Sequence, residues 1–431
     1  MKEKLTLLKT KLIEILDKHE KNLYVSNVKD ILVSLCFPMT LIGSIFYIAA
    51  NPPEWTNTGL LKLWTSAAYG IREQLMIPYY LTYGMAGITA SFMLSYCLAK
   101  NKNLDPLLSA LITAISYLAI LIPGYNDTAL TLLELSKITG PSSLLSGFII
   151  SAACINLLAL IKSKNMGFTI KKGVSPALSY GFKNIFPIMI VVPFMWLIGW
   201  GYNILLNYLT AFLSPAFINY KGLLGSSFAK AILGSLQTSL MYIIGMNGEV
   251  LGTPSYSIFS NLGGASTLLP LIILFLLSPS KHLKQLGTLC IIPGIFNIPY
   301  PVLLAVPIIL NPVYALPFIA HSILSTFMNE ASVSSGLISI EVHAISGTAI
   351  LSGNLTIVNV IFIILLQLLN IALGLCLYYP FYKLHEEWLI ISCGTKSEKT
   401  SLSIPLISRV KIIIDKLHSL TLINNNKGRP L

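Results

Sequence analysis

Hydrophobic residues in this chain come in long unbroken runs, not in the short alternating or one-faced patterns of a soluble domain. Charge-free stretches at roughly Ile31–Ala50, Met76–Ala99, Leu107–Pro123, Ser143–Ile161 and Asn184–Leu213 reach or approach the length a helix needs to cross about 30 Å of hydrocarbon at about 1.5 Å per residue. Ahead of them, Leu5, Leu8, Leu12 and Leu16 share one helical face in a segment that Lys, Glu and Asp interrupt repeatedly. That pattern predicts an amphipathic cytoplasmic-surface helix within residues 1–30, ending near Asp30, and not a signal peptide.

The second half is apolar but punctuated. Ala231–Asn247 and Asn261–Leu277 resemble crossings, yet Gly245-Met246-Asn247-Gly248 and Asn261-Leu262-Gly263-Gly264 place helix breakers beside them. From Gln285 to Asn329, 45 residues contain no Asp, Glu, Lys or Arg but include Pro293, Pro299, Pro301, Pro307, Pro312 and Pro317. One straight helix cannot hold those prolines, because each removes a backbone donor and bends the helix. The expectation is a hairpin with its tip near Asn297–Pro301, another segment dipping in around Gly245–Gly248, and a last charge-free run at Ala344–Tyr382. In residues 383–431, Leu406, Val410, Ile413, Leu417 and Leu420 recur at helical spacing among eight basic and four acidic residues, which predicts a basic interfacial tail.

Composition narrows the class. Of 431 residues, 54% are hydrophobic and 11% charged, against about 25% charged in a soluble domain; mean hydropathy is +0.74. A soluble enzyme and a disordered chain are both excluded. The formal net charge is +12, but the lysines sit in loops between apolar runs. Residues 162–183 carry five lysines and no acid, whereas 51–75 balance to zero. The positive-inside rule then puts both termini in the cytoplasm, with 100–105 and 162–183 inside and 51–75 and 124–142 outside. Only Arg72, Arg409 and Arg429 are arginine, so a nucleic-acid partner is not expected. The six cysteines are scattered without a Cys-x-x-Cys pair and read as small core residues. The fold class is an all-α polytopic membrane protein with about 8–10 transmembrane helices plus two re-entrant hairpins.

Candidate chemistry follows from what interrupts the lipid-like sequence. There is no Gly-x-x-x-x-Gly-Lys-Ser/Thr, no His-Glu-x-x-His and no zinc-spaced Cys/His set, so no cofactor, metal or catalytic residue is assigned. Glu249, Glu330, Glu341, His321 and His343 are ionisable residues in apolar surroundings. Each reads either as a polar-site residue or as an interfacial carboxylate or carbonyl-bonded histidine. Breaks at mid-membrane expose N–H and C=O groups that transporters use for polar solutes. Asn247, Glu249, Asn261, Phe296, Asn297 and Tyr300 are therefore the candidate substrate-binding residues, with the rings of Phe296, Tyr300 and Tyr314 able to stack on a sugar face.

Several motifs occur together in order over most of the chain: Pro293-Gly294-Ile295-Phe296-Asn297-Ile298, Pro301-Val302, Pro307-Ile308-Ile309-Leu310-Asn311-Pro312, Pro317-Phe318, Pro78-Tyr79-Tyr80-Leu81-Thr82, Ile42-Gly43-Ser44-Ile45-Phe46 after Asp30, Asn261-Leu262-Gly263-Gly264, and Tyr378-Tyr379-Pro380-Phe381-Tyr382-Lys383. This set resembles the membrane (IIC) subunits of bacterial sugar phosphotransferase systems, in the lactose/cellobiose/chitobiose branch. The resemblance implies a multi-pass plasma-membrane permease of elevator-type architecture and a homodimer. Residues 31–225 would form the interface and scaffold domain. Residues 226–382 would carry a disaccharide, cellobiose- or chitobiose-like, between re-entrant hairpins. Cytoplasmic IIB and IIA proteins would be partners, IIB phosphorylating the sugar, so that any enzymatic step depends on a separate protein. Where the family reads Gly-x-His-Gly this chain has Gly245-Met246-Asn247-Gly248, and where it reads Phe-Asn-Ile-Asn-Glu-Pro this chain has Phe296-Asn297-Ile298-Pro299-Tyr300-Pro301. With Asn247 and Tyr300 in place of His and Glu, the alternative is a IIC homologue acting as a non-phosphorylating facilitator, sensor or receptor. A third reading is an ion-coupled carrier using Glu249 or Glu330.

Overall fold

The structure, a computed structural model, describes residues 23–52, 62–121, 131–164, 184–201, 227–243, 268–306, 308–309, 311–337 and 357–394, with a few neighbours of 184–201. The expected helix in residues 1–22, the segment 244–267 and the interfacial tail beyond 394 lie outside the described residues, as do Glu341 and His343. All regular structure among the described residues is helical. The chain divides into two compact units, Met1–Tyr382 and Lys383–Leu431.

In the first unit, α1 (Leu23–Ile31) passes through a π-helical turn at Leu32–Cys36 into α2 (Phe37–Ala50). The helix does not stop at Asp30, contrary to the sequence expectation. Asp30 is exposed on its surface, so continuing the helix buries no charge there. The run Met76–Ala99 is also not one rod. It is α3 (Lys62–Thr82), a 3-10 turn at Tyr83–Met85, and α4 (Ala86–Asn101). The break contains Gly84, where a Cβ would lie 2.4 Å from the Cβ of Ser136, and upstream of Pro78, which lacks an N–H, α3 is itself kinked at Ile71. Then come α5 (Pro106–Leu121), α6 (Leu132–Thr139), α7 (Leu144–Ser163) and α8 (Asn184–Gly201).

The segment read as an external loop at 124–142 thus holds a short helix, α6. Thr131 starts it with a capping box: its hydroxyl accepts from the Glu134 N–H, and the Glu134 carboxylate accepts from the Thr131 N–H at 2.9 Å. That arrangement satisfies two orphan donors of the first turn.

Small residues let α4, α5 and α7 approach. Gly87, Ser91 and Ser95 recur every fourth residue on α4, and Gly147 and Ser151 do so on α7. The Ser91 and Ser151 hydroxyls are 3.0 Å apart, and Tyr117 and Ser143 meet at 2.6 Å. Between lipid-embedded helices, close packing and interhelical hydrogen bonds replace the hydrophobic effect as the source of association. At one end of this bundle, Lys162 donates to the Asn103 carbonyl and Lys102 donates to Asn156. The lysine-bearing turn after α4 and the lysine-bearing end of α7 therefore share a face, as the positive-inside reading of both requires.

The second half contributes α9 (Ser227–Ile243), α10 (Leu269–Leu276), α11 (Lys281–Ile295), α12 (Tyr300–Ala305), α13 (Pro312–Ser334) and α14 (Ile357–Gly394). Helix α10 returns tightly on α11, since a Cβ on Gly287 would sit 2.8 Å from the Leu276 nitrogen. Helix α9 lies along α13. Five helical stretches are long and apolar enough to cross a membrane among the described residues: Tyr24–Ala50, Lys62–Asn101, Leu144–Ser163, Asn184–Gly201 and Ile361–Glu386. In the second unit, Lys383 donates to Glu386 at 2.6 Å, and the rings of His385 and Trp388 stack with centroids 6.0 Å apart.

Candidate functional site around the Phe296–Tyr300 turn

The interruption expected near Asn297–Pro301 is present, and backbone chemistry explains its shape. Helix α11 ends at Ile295, and Asn297 takes φ +62°, a left-handed conformation that Asn tolerates better than most residues. The Ile298 N–H reaches back to the Pro293 carbonyl at 2.9 Å, and the Asn297 N–H to the Gly294 carbonyl at 3.2 Å. These are the two bonds of a Schellman cap, with Asn in the place glycine usually fills. Pro299 then caps α12, with Pro301 inside its first turn, where a missing N–H costs nothing. Asn311 opens α13 in the same economical way: its side-chain oxygen accepts from the Val313 N–H at 3.0 Å, and Pro312 occupies the first helical position.

This turn delivers Phe296 and Tyr300 to the helices of the first half. Phe296 meets Trp64 of α3 edge-on with centroids 6.2 Å apart, and the Trp64 indole donates to the Ala49 carbonyl at 3.1 Å. Tyr300 is 6% exposed. Its ring is met edge-on by Tyr83 and by Tyr242 of α9, each with centroids 5.8 Å away. From Tyr83 a chain of rings runs outward: Tyr79 stacks on it at 5.0 Å, and Tyr47 lies 5.1 Å from Tyr79. Gly43 makes this possible, since a Cβ there would sit 2.5 Å from the Tyr83 Cβ and 2.9 Å from its nitrogen. The result is a phenol-lined patch joining α2, α3, α9 and the turn. Phenols offer flat apolar faces together with hydroxyls that donate and accept.

Of the residues singled out from the sequence, the turn carries Phe296, Asn297 and Tyr300, and it sets Phe296 against Trp64 and Tyr300 against Tyr83 and Tyr242. Sequence reasoning missed Tyr47, Trp64, Tyr79, Tyr83 and Tyr242; the recurrence of Tyr79 and Tyr83 four residues apart was the available signal. Asn247, Glu249 and Asn261 lie outside the described residues. Tyr314 does not offer a face to any ligand: it is 0% exposed within α13, because its helix is buried on that side. Glu330 is not an interfacial loop carboxylate but lies buried in α13, 3% exposed. His321 follows the carbonyl-bonded reading, with Nε2 3.0 Å from the Asn370 carbonyl oxygen. No group of three His, Cys, Asp or Glu residues suited to a metal ion occurs among the described residues.

Comparison with known proteins identifies the family. The family model of the phosphotransferase system EIIC matches residues 32–322. The lichenan permease IIC component of Bacillus subtilis is 24% identical over 402 residues, covering 82% of this chain and 88% of that protein. The cellobiose-specific EIIC component of Geobacillus stearothermophilus is 23% identical, covering 88% of this chain and 94% of its own. Among solved structures, the transporter ChbC, the IIC component from the N,N'-diacetylchitobiose-specific phosphotransferase system, is 23% identical and covers 91% of this chain and 100% of its own, with a TM-score of 0.42. A family match across most of the chain and the run of long apolar helices lead to one conclusion: this chain belongs to the EIIC family of the phosphotransferase system, the bacterial membrane permeases of sugar transport.

Proposed function

We propose that this chain is the permease subunit that binds a β-linked disaccharide, of the cellobiose or diacetylchitobiose type, and carries it across the plasma membrane for phosphorylation by a cytoplasmic IIB protein charged by IIA. The observation that carries the reading is the Schellman-capped turn at Phe296–Tyr300 set against the tyrosine patch. Relatives specific for cellobiose and lichenan support the β-linked class. In this reading residues 31–225 are the scaffold of a homodimer and residues 226–382 move against it, with both termini cytoplasmic. Phe296 and Tyr300 contact the sugar rings, and Asn297, Asn247, Asn261 and Glu249 contact its hydroxyls.

The chemistry asked of this chain is positioning. The accepting sugar hydroxyl gives up its proton as the phosphoryl group arrives from IIB, and holding the two in line supplies most of what a loose phosphoryl-transfer transition state needs. Asn247 cannot take that proton, and a phenol with an ordinary pKa near 10 stays protonated at neutral pH. Glu249 is the carboxylate closest in sequence and is assigned that role. Membrane vesicles supplied with IIB, IIA and the phosphoenolpyruvate-driven carriers test the reading. Phosphorylated cellobiose or diacetylchitobiose is expected in the lumen of correctly oriented vesicles, with at least a ten-fold (about 1.4 kcal/mol) loss in Glu249→Gln. Bound disaccharide without any phosphorylated product would reject IIB-dependent phosphorylation.

A further inference from the structure

The outward face of helix α11 changes character along its length. Leu283, Leu286, Gly287, Cys290, Pro293 and Gly294 form its buried side. That side packs on α10, so closely that a Cβ on Gly287 would lie 2.8 Å from the Leu276 nitrogen and one on Gly294 2.4 Å from the Ile272 Cδ1. The opposite side is held outward as a result. From the start of the helix it runs Lys281, Lys284, Gln285 and Thr288, all exposed, then Leu289, Ile292 and Ile295, which are 47%, 54% and 55% exposed. Lys281, Lys284, Gln285, Thr288 and Leu289 line one concavity of about 590 Å³, within the size range of small-molecule sites. The first turn carries no acid, and among the described residues no carboxylate is paired with either lysine.

Residues three apart on a helix are neighbours, so the Lys281 and Lys284 ammonium groups can reach one anion together. Along the helix axis they stand about 10 and 6 Å from Thr288, the scale of one headgroup layer, while Ile295 lies about 10 Å beyond it, within one leaflet of hydrocarbon about 15 Å deep. The positive-inside rule turns the lysine end toward the cytoplasmic leaflet, whose anionic lipids attract basic residues. A soluble anion would engage the lysines and leave the apolar half of the stripe unused. A molecule with a negative head and an apolar tail matches both halves in their order. We propose that this face of α11 binds an anionic diacyl phospholipid of the phosphatidylglycerol type. Lys281 and Lys284 pair with its phosphodiester, the Gln285 amide donates to an ester carbonyl, and an acyl chain lies along Leu289, Ile292 and Ile295. The site shares no residue with the sugar reading or with the basic tail, and stands independently of both.

The test uses the full chain purified in detergent. It is titrated with phosphatidylglycerol or with phosphatidylcholine of the same acyl chains, and retained lipid is counted by native mass spectrometry. Phosphatidylglycerol is held about ten-fold more tightly than phosphatidylcholine, and the double variant Lys281→Gln/Lys284→Gln loses that preference. The variant Lys100→Gln/Lys164→Gln, which removes two exposed lysines elsewhere, keeps it, as does Lys281→Arg/Lys284→Arg, which preserves both charges. The single variants Lys281→Gln and Lys284→Gln, each weakening the lipid about three-fold, serve if the double variant does not fold. Excess inorganic phosphate leaves the lipid in place, because it lacks the acyl contact. Equal retention of the two lipids, an unchanged preference in the Lys281 and Lys284 variants, an equal loss in the Lys100 and Lys164 variant, or displacement by inorganic phosphate would each overturn the proposal. Disaccharide binding is measured separately, so loss of one property does not read as loss of the other.

Discussion

At the scale of single residues, Tyr300 and Asn297 are the positions where conformation and chemistry meet. Tyr300 is buried against two rings, so Tyr300→Ala removes both edge-to-face contacts and leaves a cavity. It should destabilise the purified protein by about 3–5 kcal/mol, seen as an earlier unfolding transition in detergent. Tyr300→Phe keeps the ring and should leave that transition nearly in place while weakening disaccharide binding measured by calorimetry. Asn297 is a backbone requirement as much as a contact. Asn297→Gly should be neutral to stability, whereas Asn297→Val forces a β-branched residue to φ +62° and should cost about 1–2 kcal/mol. Gly43→Val should cost about 1–3 kcal/mol by pushing the Tyr83 backbone away, and should reduce sugar affinity although no ligand touches it. These sites were legible to different degrees. The coincidence of Pro, Asn and Gly around 293–301 announced a break without any structural knowledge. The phenol patch was not visible, because Tyr47, Tyr83 and Tyr242 are far apart in sequence and tyrosine in an apolar run looks like any other aromatic core residue. The burial of Glu330 escaped for a related reason: the charge-free run ends at Asn329, and a carboxylate at a run's end reads as its boundary.

At the scale of elements, the hydrophobic runs foretold where helices exist better than where they end. Pattern alone carried the helix through Met76–Ala99 because every residue there is apolar or small. The structure inserts a 3-10 turn at Tyr83–Met85, where the close approach of Ser136 to Gly84 outweighs local helix propensity. The opposite error concerns α6, too short to register as hydrophobic periodicity but flagged by Thr131-x-x-Glu134, a capping signature. Its pH response follows from sign. Hydrogen bonding by Thr131, its backbone N–H first, holds the Glu134 carboxyl below its ordinary value of 4.5. The ionised group therefore stabilises α6 fully at pH above that ordinary value, and the contribution is lost as pH falls through the depressed folded-state value. Hydrogen exchange of the α6 amides should accelerate in Glu134→Gln relative to the parent chain at neutral pH, and the two should converge in acid.

At the scale of the whole molecule, the proposed reading has one half of the chain shift against the other while a sugar is bound. The positive-inside reading placed residues 100–105 and 162–183 together, and the hydrogen bonds from Lys102 and Lys162 bring those ends together in space. In the scaffold-and-carrier reading, Trp64 and Tyr83 belong to the scaffold, whereas Phe296 and Tyr300 ride on the moving part. Any such displacement must therefore separate the Trp64–Phe296 pair, whose centroids are 6.2 Å apart. On that reading the protein carries its own optical gauge: in a variant keeping Trp64 as the sole indole, emission wavelength and quencher access should change with the fraction of molecules that have moved, with no attached dye, and an emission that sugar leaves unchanged would count against the movement.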